Sequence, residues 1–600
     1  MGALSDLGWH DLQDERWNTY GQLTYISNYK DAFPAAYTNL NGTPNSLSNK
    51  AEHSFTATFT SYLGFKGWTG GEFYAAPEMI SELPLSGLKG LGGSIQNFEL
   101  QKNGTESATW YTSRAFYRQT LSFGGITSEA KSGPLQLAGS VDSRRFVLTF
   151  GKLSVLDIFD KNTYAGDLRH QFLNMAFMTN AAYDFAGDAR GYSWGLVAEF
   201  YFDDWAFRFG RFATPLNPNQ LPLNYNVGDF YGDQAEIEHR HVIKGQSGAV
   251  KILVYRNQEN MGRFSDAIAA FQADPSKNAA MCTAFNYGST NASAPDLCWA
   301  RKPNIKMGVG LNLEQSISAD IGFFLRGMYS DGQTEVDSYT SSDRSLSLGL
   351  AIKGLRWGRD ADTLGMGYAA NFLSTQHINY LNLGGIDGFI GDGKINYQPE
   401  QVLDIYYQFH AYRSVWLSVD YQHIANPAYN ADRGPVDIFG GRVDNPIPTD
   451  TSAAEKLVYT EAVVHETMRL KSVAPLFFIE PNRDVEIAGF TIPKGIFLML
   501  VNRYGALQEE NFSDARRFRP ERWLGTNTSG CAHNRNASMP FGTGPRFCPG
   551  RNLAMLEMKM AVAMLCKHFS ITRVEAGQPV QEVFLFTMMP DKLMVKFETR

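Results

Sequence analysis

Strict alternation of apolar and polar residues dominates the first three quarters of the chain. Across residues 402–410, Leu403, Ile405, Tyr407 and Phe409 fall on one side, and Asp404, Tyr406, Gln408 and His410 on the other. A period of two is that of an extended strand whose faces meet different media. Beyond the step Tyr412-Arg413-Ser414 the pattern resumes. There Val415, Leu417, Val419 and Tyr421 oppose Trp416, Ser418, Asp420 and Gln422, which makes the two segments a hairpin. Residues 346–353 set Leu346, Leu348, Leu350 and Ile352 against Ser347, Gly349, Ala351 and Lys353, and similar runs recur at 55–65, 146–150, 205–209, 309–313 and 364–372.

A soluble antiparallel sandwich also alternates. Three features argue for lipid on the apolar side instead. The polar faces carry glycines and charges, aromatics gather near the strand ends, and hundreds of residues pass without an amphipathic helix. A supply of 56 Gly, 41 Phe, 28 Tyr and 10 Trp suits strands with aromatic girdles. No apolar run reaches the roughly eighteen residues a membrane helix needs, so any crossing falls to strands. In lipid such strands must close, because an unpaired edge has no water to bond. A large closed barrel keeps a wet lumen. Alternation puts Arg208, Asp404, Trp416 and Asp420 on its wall, where an aromatic ring and charged partners suit a sugar ring and its hydroxyls; the same residues also serve as plain polar wall.

Six hundred residues exceed the roughly 250–300 that one core supports, which predicts at least two units. A net charge of -7 with no long Lys/Arg run excludes a nucleic-acid backbone as partner. The opening MGALSDLGWHDLQDE is acidic and lacks an apolar core, so no signal peptide is expected within it. Cys282 and Cys298 flank a polar Gly/Asn/Ser/Pro stretch and suit a loop disulfide, with two free thiols as the alternative. Asp387 and Asp392, in GGIDGFIGDG, read as tight-turn residues rather than metal ligands.

Several longer runs carry a resemblance. Residues 151–174 (GKLSVLDIFDKNTYAGDLRHQFLN), 379–407 (NYLNLGGIDGFIGDGKINYQPEQVLDIYY), 420–443 (DYQHIANPAYNADRGPVDIFGGRV) and GGEFYAAPEM at 70–79 are similar to the carbohydrate-selective porins of bacterial outer membranes. The resemblance covers roughly residues 8–443. It implies a mainly β fold, an antiparallel transmembrane β-barrel of about sixteen strands set in outer-membrane lipid, through which sugars diffuse.

After Val443 the alternation stops. DNPIPTDTSAAEK is a polar joint, and apolar residues then recur at helical spacing, Leu457, Val464 and Met468 among them. The organisation expected is a barrel over 1–443, a junction over 444–455 and a smaller, mostly helical α+β unit over 456–600.

That last unit resembles the C-terminal third of a cytochrome P-450. Glu466 and Arg469 form E-x-x-R on one helix face. Downstream, FRPERWL supplies Arg522, which in that family joins them in a buried network. Phe541, Gly544, Arg546, Cys548 and Gly550 fit F-x-x-G-x-R-x-C-x-G. The resemblance implies heme, with Cys548 as axial thiolate to the iron and Arg546 on a propionate. Cys531 and His533 do not make a zinc site, and the apolar stripe of the helix from Asn552 to Phe569, with Cys566, reads as packing.

Two departures stand against catalysis. The position where the family offers a second propionate-binding cation is Ile479, and residues before 451 read as strands where the family has its distal helix. Half a pocket leaves a porphyrin open to water. Three readings follow: a sugar porin with an inactive tail; a heme-thiolate monooxygenase, needing a redox partner, with a barrel appended; and a mis-assembled junction of two coding segments.

Overall fold

The computed structural model describes the chain except residues 1–9, 12, 41–42, 101, 276–292, 339, 413, 448–456, 525–533, 535–536, 544–547, 549–550, 575–579, 585–587, 592 and 600. It separates into two units, 1–449 and 450–600.

Sixteen antiparallel strands form the barrel of the first unit. They are β1 Trp17–Lys30, β2 Glu52–Trp68, β3 Gly71–Leu83, β4 Thr109–Ala130, β5 Gly139–Leu153, β6 Ser193–Phe202, β7 Trp205–Phe212 and β8 Tyr231–Ile243. The remainder are β9 Gln246–Gly262, β10 Arg301–Ser316, β11 Ile321–Ser330, β12 Arg344–Gly354, β13 Arg359–Phe372, β14 Glu400–Tyr412, β15 Val415–Ala425 and β16 Val436–Ile447. Each pairs with its neighbours, and β16 returns to β1 to close a barrel with no free edge.

Closure runs from Gly21 opposite Ile447 to Lys30 opposite Ile438. The closing strand therefore continues four residues past the boundary drawn where alternation faded. Asp444, Asn445 and Pro446 lie within the ladder, and the Asp444 carboxylate accepts hydrogen bonds from Gln22 and Thr24. A polar triplet hides a strand from a pattern search, yet a lumen-facing carboxylate with two wall donors is satisfied.

Burial follows the alternation. Val419 and Phe439 are 59% and 48% exposed on the outer face, whereas Asp404, Tyr406 and Gln422 point inward and are buried. Exposed Trp68 and Trp205 mark the rim of short turns, and Tyr29 and Tyr329 the rim of long connections, as an aromatic belt at each interface requires. Besides the single turn Met175–Met178, two helices interrupt the long connections, where sequence inspection expected none: α1 Phe264–Ala273 and α2 Thr375–Asn382. They are too short to show a persistent stripe, and they pack through the Phe264 and His377 rings, 4.3 Å apart.

The connection between β5 and β6, residues 154–192, folds into the lumen and fills much of it. Phe172 packs on Phe177, Tyr406 and Phe324 with ring centroids 4.8, 4.9 and 5.6 Å apart. Gly367 makes room for it, since a Cβ there would come within 2.6 Å of Phe177. Two fully buried wall arginines hold its backbone. Arg326 donates to the carbonyls of Phe177 and Asp160 at 2.8 and 2.9 Å, and Arg442 to those of Leu168 and Gln171 at 2.6 and 2.8 Å.

The second unit contains α3 Val458–Leu470, α4 Asn502–Ala506 and α5 Arg551–His568, together with four two-stranded ladders. Helix and strand hold near-equal shares of its described residues, more strand than the sequence pattern indicated. The ladders are short and tied by local turns. Ala488 and Gly489, for example, both take positive φ (51° and 81°) to join Val485–Ile487 to Phe490–Ile492.

Candidate functional site

The barrel interior holds two adjoining cavities, of about 610 and 670 Å³. Leu156, Lys161, Gly166, Asp167 and Met178 line both, so the inner segment is the partition between them. Of the four wall positions singled out by alternation, Arg208 borders the second cavity. Its guanidinium pairs with Glu236 and Glu238 at 2.7 Å each and with Glu199 at 3.3 Å, so three carboxylates from the wall fix it.

Asp404 and Asp420 also face inward but line neither cavity, because the inner segment covers them. The Asn174 backbone N–H donates to Asp404 at 3.2 Å, and the Gln422 side chain donates to Asp420 at 2.8 Å. Trp416 sits behind the lining as well, with its ring 5.5 Å from His170, which borders the first cavity. Alternation sorted these faces and carried no signal for the covering segment. What sequence reading missed are the cavity residues on that segment: Asp157, Lys161, Arg169 and Arg190. No period marks them, since they lie outside the strands.

Asp387 and Asp392 serve the long connections. Asp387 stands 3.2 Å from His377, whose other ring nitrogen lies 3.0 Å from Asp343. Asp392 accepts from the Tyr37 and Ser46 hydroxyls at 3.3 Å. Cys298 is disulfide-bonded, and its expected partner Cys282 lies outside the described residues.

In the second unit, α3 carries Glu466 and Arg469 one turn apart, both fully buried. Arg469 grips the carboxylate twice, through Nε at 2.9 Å and a terminal nitrogen at 2.8 Å. Arg522, the Trp523 indole and the Arg519 backbone N–H complete the ring around Glu466 at 3.2, 2.9 and 2.8 Å. Burial alone would raise the Glu466 pKa. The donors around it outweigh burial and hold it at about 2. Arg469 also donates to the carbonyls of Ala506 and Ala515 at 2.7 and 2.6 Å, so one side chain ties three segments together.

Cys548 carries a free, half-buried thiol. Its backbone N–H donates to the Phe541 carbonyl at 2.9 Å, and its own carbonyl accepts from Arg551 at the start of α5. Phe541 packs with Val464, Met468 and Met555. Gly544, Arg546 and Gly550 lie outside the described residues, as do Cys531 and His533. Among the described residues, Ile479, at the position expected to carry a second cation for a propionate, is exposed and uncharged.

Comparison with known proteins divides the chain at the same place. Residues 441–597 match the cytochrome P450 family model. Over 137 residues the chain is 34% identical to the human mitochondrial 25-hydroxyvitamin D-1 alpha hydroxylase, covering 23% of this chain and 26% of that protein. It is 38% identical over 126 residues to the cytochrome P450 monooxygenase ABA2 of Pyricularia oryzae, covering 20% of this chain and 30% of that one. The chain thus spans about a quarter of the length of these relatives. Among solved structures, the high-pH structure of Pseudomonas putida OprB is similar in fold, with a TM-score of 0.53 at 14% identity over 74% of this chain and 96% of that one. Residues 51–445, most of the chain, match the model described as carbohydrate-selective porin, OprB family, and to that family the chain belongs.

Proposed function

We propose that the barrel is an outer-membrane diffusion channel for carbohydrates, and that the segment after it is an incomplete heme-thiolate unit without monooxygenase activity. The channel reading rests on one observation above others. A closed barrel with an apolar exterior keeps two cavities bordered by charged side chains beside an inner segment that narrows the lumen without filling it. Paired charges with aromatic neighbours line those cavities, as at Arg208, whose guanidinium lies 5.5 Å from the Tyr201 ring centroid. Such surfaces bond hydroxyls and stack on sugar rings while staying wet enough to release them.

Reconstitution tests this reading. Liposomes containing the full chain should swell in isotonic monosaccharide solutions faster than protein-free liposomes, and equal swelling refutes a sugar channel.

The inactive-tail reading rests on the half cradle at Cys548 and on the quarter-length match to the relatives. A heme-loaded full chain should give no red-shifted reduced carbon-monoxide band. Such a band, lost in Cys548→Ser, overturns the reading and makes a redox partner necessary.

A further inference from the structure

Two carboxyl groups outside the cavities meet in a buried place. Glu259 stands near the end of β9, and Asp337 in the connection 331–343 between β11 and β12; both are buried. Their side chains face each other within hydrogen-bonding reach. Among the described residues, neither oxygen of Glu259 nor Oδ1 of Asp337 receives a hydrogen bond from a donor group. Ionised carboxylates only accept, so two of them in contact repel unless a proton lies between them.

The charges packed around the pair have partners of their own. Asp184, on the inner segment, accepts from Lys306 of β10 at 2.8 Å and from the backbone N–H groups of Asp337 and Ser338 at 2.8 and 3.0 Å. Lys306 attracts the pair as well, yet it is one cation beside three carboxylates. Arg301 grips Glu335 at 2.8 and 2.7 Å, and Arg263 reaches Asn304, opposite Glu259, at 3.1 Å. His377 stands between Asp343 and Asp387, and the Tyr255 hydroxyl bonds that of Ser330 at 2.6 Å. Burial, with Asp184 beside it, pushes the Asp337 carboxyl well above the usual carboxylate range, against the contact with Glu259 and the charge on Lys306. The same stretch fastens the connection to the inner segment: the Ser338 hydroxyl donates to the Gly187 carbonyl at 2.8 Å, and the Thr340 hydroxyl to that of Ala181.

We infer that Glu259 and Asp337 share one proton, and that this proton clasps the connection 331–343 onto the inner segment at 181–187, so that the clasp loosens as pH rises. In the closed form the O–H of one carboxyl donates to the other. Opening exposes both to water, where a carboxyl gives up its proton near pH 4. Every pH unit above that favours the open form by about tenfold, until the closed pair itself ionises. The clasp is therefore tightest in acid. Because the inner segment narrows the lumen, loosening it should widen the passage. That consequence rests on the channel reading above; the clasp itself does not.

The test is hydrogen exchange of peptides covering 334–338 in the detergent-held full chain, between about pH 5 and 7.5, corrected for intrinsic rate. His377 keeps its proton in that window, since its carboxylate partners outweigh burial and raise its pKa to about 9. Corrected exchange should accelerate about tenfold per pH unit. Asp337→Asn and Glu259→Gln each put an amide donor where the proton lies, so each should flatten that dependence while keeping the heat-modifiable folded band. Rates constant with pH in the parent, or a dependence kept in both variants, overturn the clasp. Slower exchange on adding calcium to the parent at the upper end of the window would put a cation between the carboxylates in place of the proton, and overturns it too. In planar bilayers, conductance should rise over the same window in the parent and stay level in the variants. Level conductance in the parent beside accelerating exchange overturns the widening. Absence of conductance at every pH overturns the channel reading and leaves the clasp.

Discussion

Replacing Glu466 with Gln isolates the cluster that organises the second unit. The substitution keeps the shape of the side chain and removes the charge, leaving Arg469 buried beside a neutral amide. Losing one partner of a buried ion pair costs about 3–5 kcal/mol. A carboxyl pKa lowered from 4.5 to about 2 corresponds to about 3 kcal/mol at neutral pH, and Arg522 and Trp523 at the half-buried rim reduce that through solvent screening to about 2–3 kcal/mol. Because the folded-state pKa is lowered, this contribution is complete above the unfolded value of 4.5 and is lost as pH falls from there toward 2. With a urea slope of about 2 kcal/mol/M, the midpoint for this unit should drop by about 1 M in Glu466→Gln. Hydrogen exchange of peptides from 458–470, followed through a urea series on the detergent-held full chain, reads that midpoint. Glu461→Gln is the control. Glu461 pairs with Lys559 at 2.7 Å but is 43% exposed, so its loss should cost about 0.5 kcal/mol. Equal shifts for the two variants would refute the claim that burial and convergent donors give Glu466 its weight.

Other outcomes follow from the barrel and its connections. Val419→Arg places a charge on the outer face of β15 and should cost about 2–4 kcal/mol, seen as loss of the heat-modifiable folded band; an unchanged band would mean that face does not meet lipid. Burial opposes the charge on His377, but Asp343 and Asp387 outweigh it and raise its pKa from 6.5 to about 9. Its contribution is therefore present below pH 6.5 and lost as pH rises through about 9, so exchange in α2, corrected for intrinsic rate, should accelerate up to roughly a hundredfold between pH 7 and 10. Constant corrected rates would refute this. In the unreduced full chain, maleimide should label Cys548 and Cys566 but reach Cys298 only after reduction, as read by peptide mass; labelling of Cys298 without reductant would remove the disulfide from the account.

Strand periodicity and linked motifs made both halves of this protein legible. Leu403 and Asp404, or Val419 and Asp420, are sorted by the two-residue period alone, and the structure puts them on the faces that period assigns. Glu466, Arg469 and Arg522, spread over 57 positions, meet as their motifs imply. A helix turn fixes the first two locally, and a buried carboxylate needs the third.

Other features waited for the tertiary structure. Closure through Asp444 and Pro446 depends on what β1 offers across the seam, which no local pattern records. The descent of residues 154–192 into the lumen depends on space left by Gly367 and on donors from Arg326 and Arg442, residues far apart in the chain. That segment decides which inward residues are covered and which border a cavity. The sequence by itself determined which faces meet oil, because hydrophobic sorting repeats at every strand. Only the folded chain decided where charge lies in the lumen, because pairing is a matter of distance between residues the sequence keeps apart.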